Sequence, residues 1–167
     1  KSPEEVAQTL QRLFDREIGV DEVDIKGVGV ATSSELLHTR YPDQYAVLNR
    51  RSRHGMGTLG YYVSRNVTHD EYVSFCEDVF EATEKYDLDE VVRECVKDSK
   101  NLGEIPQDVT LLELADYAFH LYAEGYIELD RVKMERGDMR YVGIPTAVLQ
   151  NVDDIVERDP TYRDRED

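Results

Sequence analysis

Apolar positions recur along this chain at intervals of three and four, the period of a helix with one buried face. Val6, Leu10, Leu13 and Phe14 form the first such face. Ser2-Pro3-Glu4-Glu5 opens it, with Ser2 as the expected cap, Pro3 at the first helical position and Glu5 completing a capping box. Gly19 is the expected end of this unit. After the tight turn Gly27-Val28-Gly29, a helix is expected from about Val30 to Thr39, with Leu36 and Leu37 inward and a stop before Pro42. Asn49 to Leu59 reads as an arginine-rich helix weakened by Gly55 and Gly57. Thr68, paired with Glu71, caps a helix that turns Tyr72, Phe75, Cys76, Val79 and Phe80 inward. Leu88 to Val96 is a shorter helix with Val91, Val92 and Cys95 inward. Asp98 to Gln107 is a loop rich in Asn, Gly and Pro. Thr110 and Glu113 then box a helix that buries Leu111, Leu114, Ala115, Ala118, Phe119 and Tyr122 and ends at Gly125.

The pattern changes after Tyr126. Ile127, Leu129, Val132 and Met134 precede Arg136-Gly137-Asp138, and Met139, Tyr141 and Val142 follow it. This reads as a β-hairpin around a glycine turn, with a charged helix as the competing reading. Thr146 to Arg158 is a last helix, and the chain from Asp159 onward is expected to fray. No internal repeat is present. The expectation is a mainly α fold, a multi-helix bundle with a small C-terminal β-hairpin. Residues 1–125 form the helical domain, 126–158 the hairpin and helix packed on it, and 159–167 a tail.

Charge changes the picture more than length does. The 167 residues carry 36 acids against 20 Lys and Arg, a net charge of -16, and 14 of those cations are arginine. The acids are spread along the whole chain, and the apolar share of 40% is enough for a core, so disorder is excluded. A folded chain this acidic repels itself at low ionic strength. The composition therefore points to a halophile-type surface of halophilic-archaeal character. No apolar run approaches the 18 residues of a membrane span, and no signal-peptide pattern stands at the start, so a cytoplasmic protein is expected. The opening on Lys1 suggests a piece of a longer polypeptide. Cys76 and Cys95 lie in apolar helical patterns without a CxxC, as buried reduced thiols do.

One segment departs from the acidic background. Residues 38–69 hold Arg40, Arg50, Arg51, Arg53 and Arg65 against the single acid Asp43, so the segment is net +4 and the remainder carries -20. His38, His54 and His69 lie in it, as do Tyr41, Tyr45, Tyr61 and Tyr62. Arginine interleaved with aromatics suits phosphates and unstacked bases. The alternative is that these arginines pair internally with the surplus acids.

Just upstream, Gly27-Val28-Gly29-Val30-Ala31-Thr32 resembles the turn of helix-hairpin-helix proteins. Glycines allow close backbone approach, and the helix that follows offers free N–H groups to a phosphate. In DNA glycosylases with this hairpin a catalytic aspartate follows the second glycine by about twenty residues; here that place holds Asn49, which cannot act as a carboxylate. The usual lysine is absent too, with Ala31 and Thr32 in its place. A longer likeness joins Gly27–His38, Tyr41-Pro42-Asp43-Gln44-Tyr45-Ala46-Val47-Leu48-Asn49-Arg50-Arg51-Ser52 and Leu59-Gly60-Tyr61. It is similar to a helical segment beside the ATPase in methylcytosine-type restriction proteins, and Leu111 to Tyr122 is similar to that family's later aromatic-rich helix. The resemblance implies a role in DNA surveillance, next to an ATPase or nuclease subunit or domain. The chain has no GxxxxGK[ST], so ATP hydrolysis is not expected of it.

The expected site is a nucleic-acid-binding one. Gly27, Gly29 and Val30 offer backbone N–H groups, and Arg40, Arg50, Arg51 and Arg53 contact phosphate. Asn49 reads a base or structures the turn, and Tyr61 stacks. No catalytic residue, metal or cofactor is expected. Asp24-Ile25-Lys26 has nuclease DxK spacing without the upstream acid, and His69-Asp70 has no spaced partners for a metal. His120 sits in an apolar helix as a packing residue, and Arg136-Gly137-Asp138 is a turn. The leading function is a non-enzymatic DNA-binding or DNA-sensing module. A protein–protein adaptor and a glycosylase-like base-excision enzyme are its rivals.

The charge makes a direct demand on stability. Lowering KCl from multimolar to ~0.1 M lengthens the Debye length to about 10 Å and exposes acid–acid repulsion. The melting temperature is expected to fall across that series, and an unchanged value removes the halophile reading.

Overall fold

A computed structural model describes residues 1–137. The described chain is helical: α1 (Pro3–Phe14), α2 (Val30–Arg40), α3 (Arg50–Thr58), α4 (His69–Lys85), α5 (Leu88–Asp98), α6 (Leu111–Ala123) and the single turn α7 (Leu129–Val132), which runs into a π-helical turn, Lys133–Gly137. Its one extended pairing is an isolated bridge between Ile25 and Val28. The chain divides into two units, Lys1–Leu129 and Asp130–Asp167.

Helix starts follow the local chemistry. Thr68 and Thr110 each accept from the third helical N–H, and Glu71 and Glu113 reach back to the cap N–H. Ser2 accepts from the Glu5 N–H at 3.2 Å. The stops of α1, α3 and α6 rest on left-handed residues. Gly60 (φ 98°) and Gly125 (φ 85°) end α3 and α6, each with the paired back-bonds of a Schellman motif: Tyr61 to Met56 and Gly60 to Gly57, Tyr126 to Leu121 and Gly125 to Tyr122. The first helix ends earlier than Gly19. Arg16 adopts φ 62°, with Glu17 N–H on the Arg12 carbonyl and Arg16 N–H on that of Leu13. An arginine takes the glycine position because its guanidinium lies 4.3 Å over the Tyr41 ring and donates to Gln44 Oε1 at 2.9 Å.

In the first unit, α6 is the central helix. It packs on α3, α4 and α5, and it buries Leu112, Leu114, Ala115, Ala118, Phe119 and Leu121 over more than one face. Gly55 is a contact rather than a weakness. A Cβ there would stand 2.4 Å from Cδ1 of Phe119 and 3.1 Å from Cδ1 of Leu129, so the bare backbone of α3 is the seat for the Phe119 ring. Most of the expected inward set of α4 is buried, but Phe80 is 41% exposed.

Between α2 and α3 the chain runs from Tyr41 to Leu48 without regular structure, yet Ala46, Val47 and Leu48 are buried. Buried backbone must find partners, and here side chains from three helices supply them. Ser34 Oγ of α2 accepts from the Leu48 N–H at 2.9 Å. From α4, Cys76 Sγ accepts from the Ala46 N–H at 3.3 Å and Tyr72 OH donates to the Ala46 carbonyl at 2.6 Å. The Thr110 hydroxyl, at the cap of α6, donates to the Pro42 carbonyl at 2.8 Å. Both cysteines are free; Cys76 is buried and Cys95 half-buried.

Beyond Tyr126 the helical alternative describes what is seen. Leu129–Val132 and Lys133–Gly137 are helical turns where the upstream hairpin arm was expected, and Arg131 pairs with Glu135 one turn on, at 2.8 Å. The downstream arm from Met139, the helix at Thr146 to Arg158 and the tail from Asp159 lie outside the described residues.

Replacing Gly55 by alanine gains helix propensity but drives a methyl into a ring with no room to move. Gly55→Ala is expected to cost about 1–3 kcal/mol of stability. Denaturant unfolding measures this, and a neutral or stabilising result contradicts the notch.

Candidate nucleic-acid interface

The glycine turn forms as its sequence demands. The Val28 N–H donates to the Ile25 carbonyl at 3.0 Å, and Gly27 takes the positive φ of 84° at the third turn position. Gly29 is the N-cap of α2 and brings no side-chain cap, and the first turn holds no acid. A Cβ on either glycine would meet nothing within 4 Å, so the turn stands in open space. The hairpin likeness reaches less far upstream. α1 ends at Phe14, and residues 15–29 separate it from α2.

α3 opens nearby. Asn49 Oδ1 accepts from the Ser52 N–H, and Ser52 Oγ accepts from the Asn49 N–H, both at 2.9 Å. Asn49 thus structures the turn, and its carbonyl oxygen is taken up by the cap. Ser34 joins the two helix openings, because its hydroxyl donates to Ala31 in the first turn of α2 and binds the Leu48 N–H, next to the cap of α3. Each opening carries the free N–H groups and the positive dipole end of a helix start.

The arginines separate into two groups. Arg50 and Arg51 are exposed at the start of α3, whose first turn holds no acid. Cations there oppose the helix dipole by about 0.3–1 kcal/mol each. Arg53 turns inward instead, and its Nη1 donates to the carbonyls of Ser64 and, at 3.4 Å, Val63, tying the segment after α3 to that helix. Arg40 lies at the end of α2, 4.9 Å over the Tyr41 ring. The close ion pairs Lys1–Asp24, Arg12–Glu17, Arg93–Asp89 and Arg131–Glu135 take no arginine of residues 38–69. The internal-pairing alternative therefore finds no close pair, though Arg51 acts on Asp116 at longer range.

The tyrosines separate as well. Tyr45 stacks on Tyr72 at 6.1 Å and meets Tyr41 edge-on at 5.9 Å, with Arg16 over both Tyr41 and Tyr45. These rings brace the segment before α3. Tyr61 lies against the acidic side of α4; burial first, and then Glu81 and Asp78, push its hydroxyl up to about 12. That surface repels a polyanion. Tyr62 is 88% exposed.

Two interactions escaped the sequence reading. Asp116 of α6 is half-buried; burial raises its carboxyl above the usual range, while His38 and Arg51 draw it back down. His54 of α3 meets Tyr122 of α6, with 2.9 Å between Nδ1 and the phenol oxygen. No local signal links residues 68 apart, so only the α3–α6 packing reveals this pair. Among the described residues no group of three or more His, Cys, Asp or Glu is placed to hold a metal, and no helix is long and apolar enough to cross a membrane. Compared with protein-family models, curated proteins and solved structures, the chain matches none of them.

The division among the arginines is measurable. Arg53→Ala leaves the Val63 and Ser64 carbonyls without their donor and is expected to cost about 1–3 kcal/mol. A melting temperature equal to that of the parent chain would remove the structural role.

Proposed function

We propose that this chain is a non-enzymatic DNA-binding or DNA-sensing module of a restriction or defence system, acting beside an ATPase or nuclease partner. The observation that supports it is the placement of Arg50 and Arg51. They are exposed at the positive end of α3 and form no close ion pair with a described acid, in a chain of net charge -16. Such an arrangement works against the helix dipole unless an anion lies across it. The bare opening of α2, with Gly27, Gly29 and the Val30 N–H, stands beside it and adds amides for a second phosphate. Arg40 reinforces the field from the end of α2. Arg53 and Asn49 shape the surface instead of touching the ligand, and Tyr61 faces away from such a role.

The global charge opposes DNA, so attraction is local and affinity modest. High salt reduces it further, because counterion release contributes less. A protein–protein adaptor remains the second reading, favoured by one observation. Val73 and Phe80 of α4 are 36% and 41% exposed, and they line a cavity of about 300 Å3 with Tyr45 and Leu112.

The double variant Arg50→Ala/Arg51→Ala tests the main reading. It is expected to weaken DNA binding and to lower the log–log salt slope by roughly two, while stability is kept or rises, by up to about 2 kcal/mol, as two cations leave the positive end of the helix. Wild-type protein without affinity for any nucleic acid at working salt, or a double variant that unfolds, favours the adaptor.

A further inference from the structure

His54 follows Arg50 by four residues and Arg51 by three, so it lies one turn along the same face of α3, exposed. Its ring stacks on Tyr122 of α6, with centroids 5.6 Å apart and planes 21° from parallel. Three hydrogen bonds close a loop there. His54 Nδ1 is 2.9 Å from the Tyr122 hydroxyl, that hydroxyl is 3.1 Å from Thr58 Oγ1, and Thr58 Oγ1 is 3.1 Å from the His54 carbonyl oxygen.

The proton positions follow from counting donors. A carbonyl only accepts, so the single Thr58 hydroxyl proton lies on that bond. The contact between Tyr122 and Thr58 must then use the Tyr122 proton. The Tyr122 oxygen is left as an acceptor toward His54, which requires a proton on Nδ1. No other assignment satisfies all three contacts. The neutral imidazole is thereby held in the form that leaves a lone pair on Nε2. A phosphate oxygen has no proton to give such an atom, whereas the exocyclic amino groups of adenine, cytosine and guanine do.

We propose that His54 Nε2 accepts a hydrogen bond from the exocyclic amino group of an unpaired nucleobase whose phosphates lie on Arg50 and Arg51. Tyr122 and Thr58 are positioning residues that hold the acceptor form. The assignment rests on the DNA-binding reading and adds to it the chemical feature that is read, an amine rather than a backbone.

Two measurements test it. In 15N-edited spectra of the imidazoles, neutral His54 is expected to carry its proton on Nδ1. Tyr122→Phe, which keeps the ring stack, is expected to move that proton toward Nε2. A proton on Nε2 in the wild type overturns the proposal without any reference to DNA. The second measurement compares a mixed-sequence single strand with the same strand lacking exocyclic amines, with purine for adenine, inosine for guanine and 2-pyrimidinone for cytosine. Wild type is expected to bind the amine-bearing strand about three- to tenfold more tightly, the worth of one hydrogen bond. His54→Phe is expected to abolish that preference and Tyr122→Phe to reduce it, while both variants keep the arginine-dependent salt slope. Binding without an amine preference, a preference that survives in His54→Phe, or binding confined to duplex overturns the proposal and leaves the DNA reading standing. No binding to either strand or to duplex overturns both.

Discussion

A stretch of backbone that is buried but belongs to no helix organises the described core. Ala46 to Leu48 passes through the interior, where each unpaired N–H or carbonyl would cost about 1–3 kcal/mol. The partners come from Ser34 on α2, from Tyr72 and Cys76 on α4, and, further along the same segment, from Thr110 at the head of α6. These three helices must therefore stand where they do for the segment to be buried at all. The segment in turn carries Asn49 at its end and so sets where α3 begins. The pairing of the α2 and α3 openings follows from this constraint.

Local chemistry wrote the helix ends plainly into the sequence. Thr68 with Glu71, Thr110 with Glu113, and Gly125 each act through neighbours within a few residues, so a reading of the chain finds them. Arg16 could not be found that way. The left-handed arginine is held by partners far along the chain, the Tyr41 ring face, 25 residues on, and Gln44. Gly55 misled for the same reason. Propensity marks it as a flaw, and only the approach of Phe119 from α6 shows that a side chain there has no space. The segment after Tyr126 left two readings open because a short alternation of apolar residues fits a strand and a turn of helix about equally well.

The candidate site was legible as a charge anomaly but not as a surface. Five arginines and one acid in residues 38–69 are visible in the sequence, whereas their division depends on where each side chain turns. Arg53 meets the carbonyls of Val63 and Ser64, while Arg50 and Arg51 face solvent on the same short helix. The hydrogen-bonded loop of His54, Tyr122 and Thr58 joins residues 68 and 64 positions apart, and no periodicity announces it.

The seat of Phe119 on Gly55 has a consequence for recognition. The ring locks α3 against α6 one residue from His54, whose own bond to Tyr122 joins the same two helices. Rolling or sliding α3 breaks both contacts together, so the helix is held in one register. A ligand that lands on this face meets a scaffold whose backbone freedom was surrendered during folding. The entropy of association then falls on the long arginine side chains and on the ligand. On the proposed reading, specificity at this surface would come from shape fixed in advance rather than from closure around the guest.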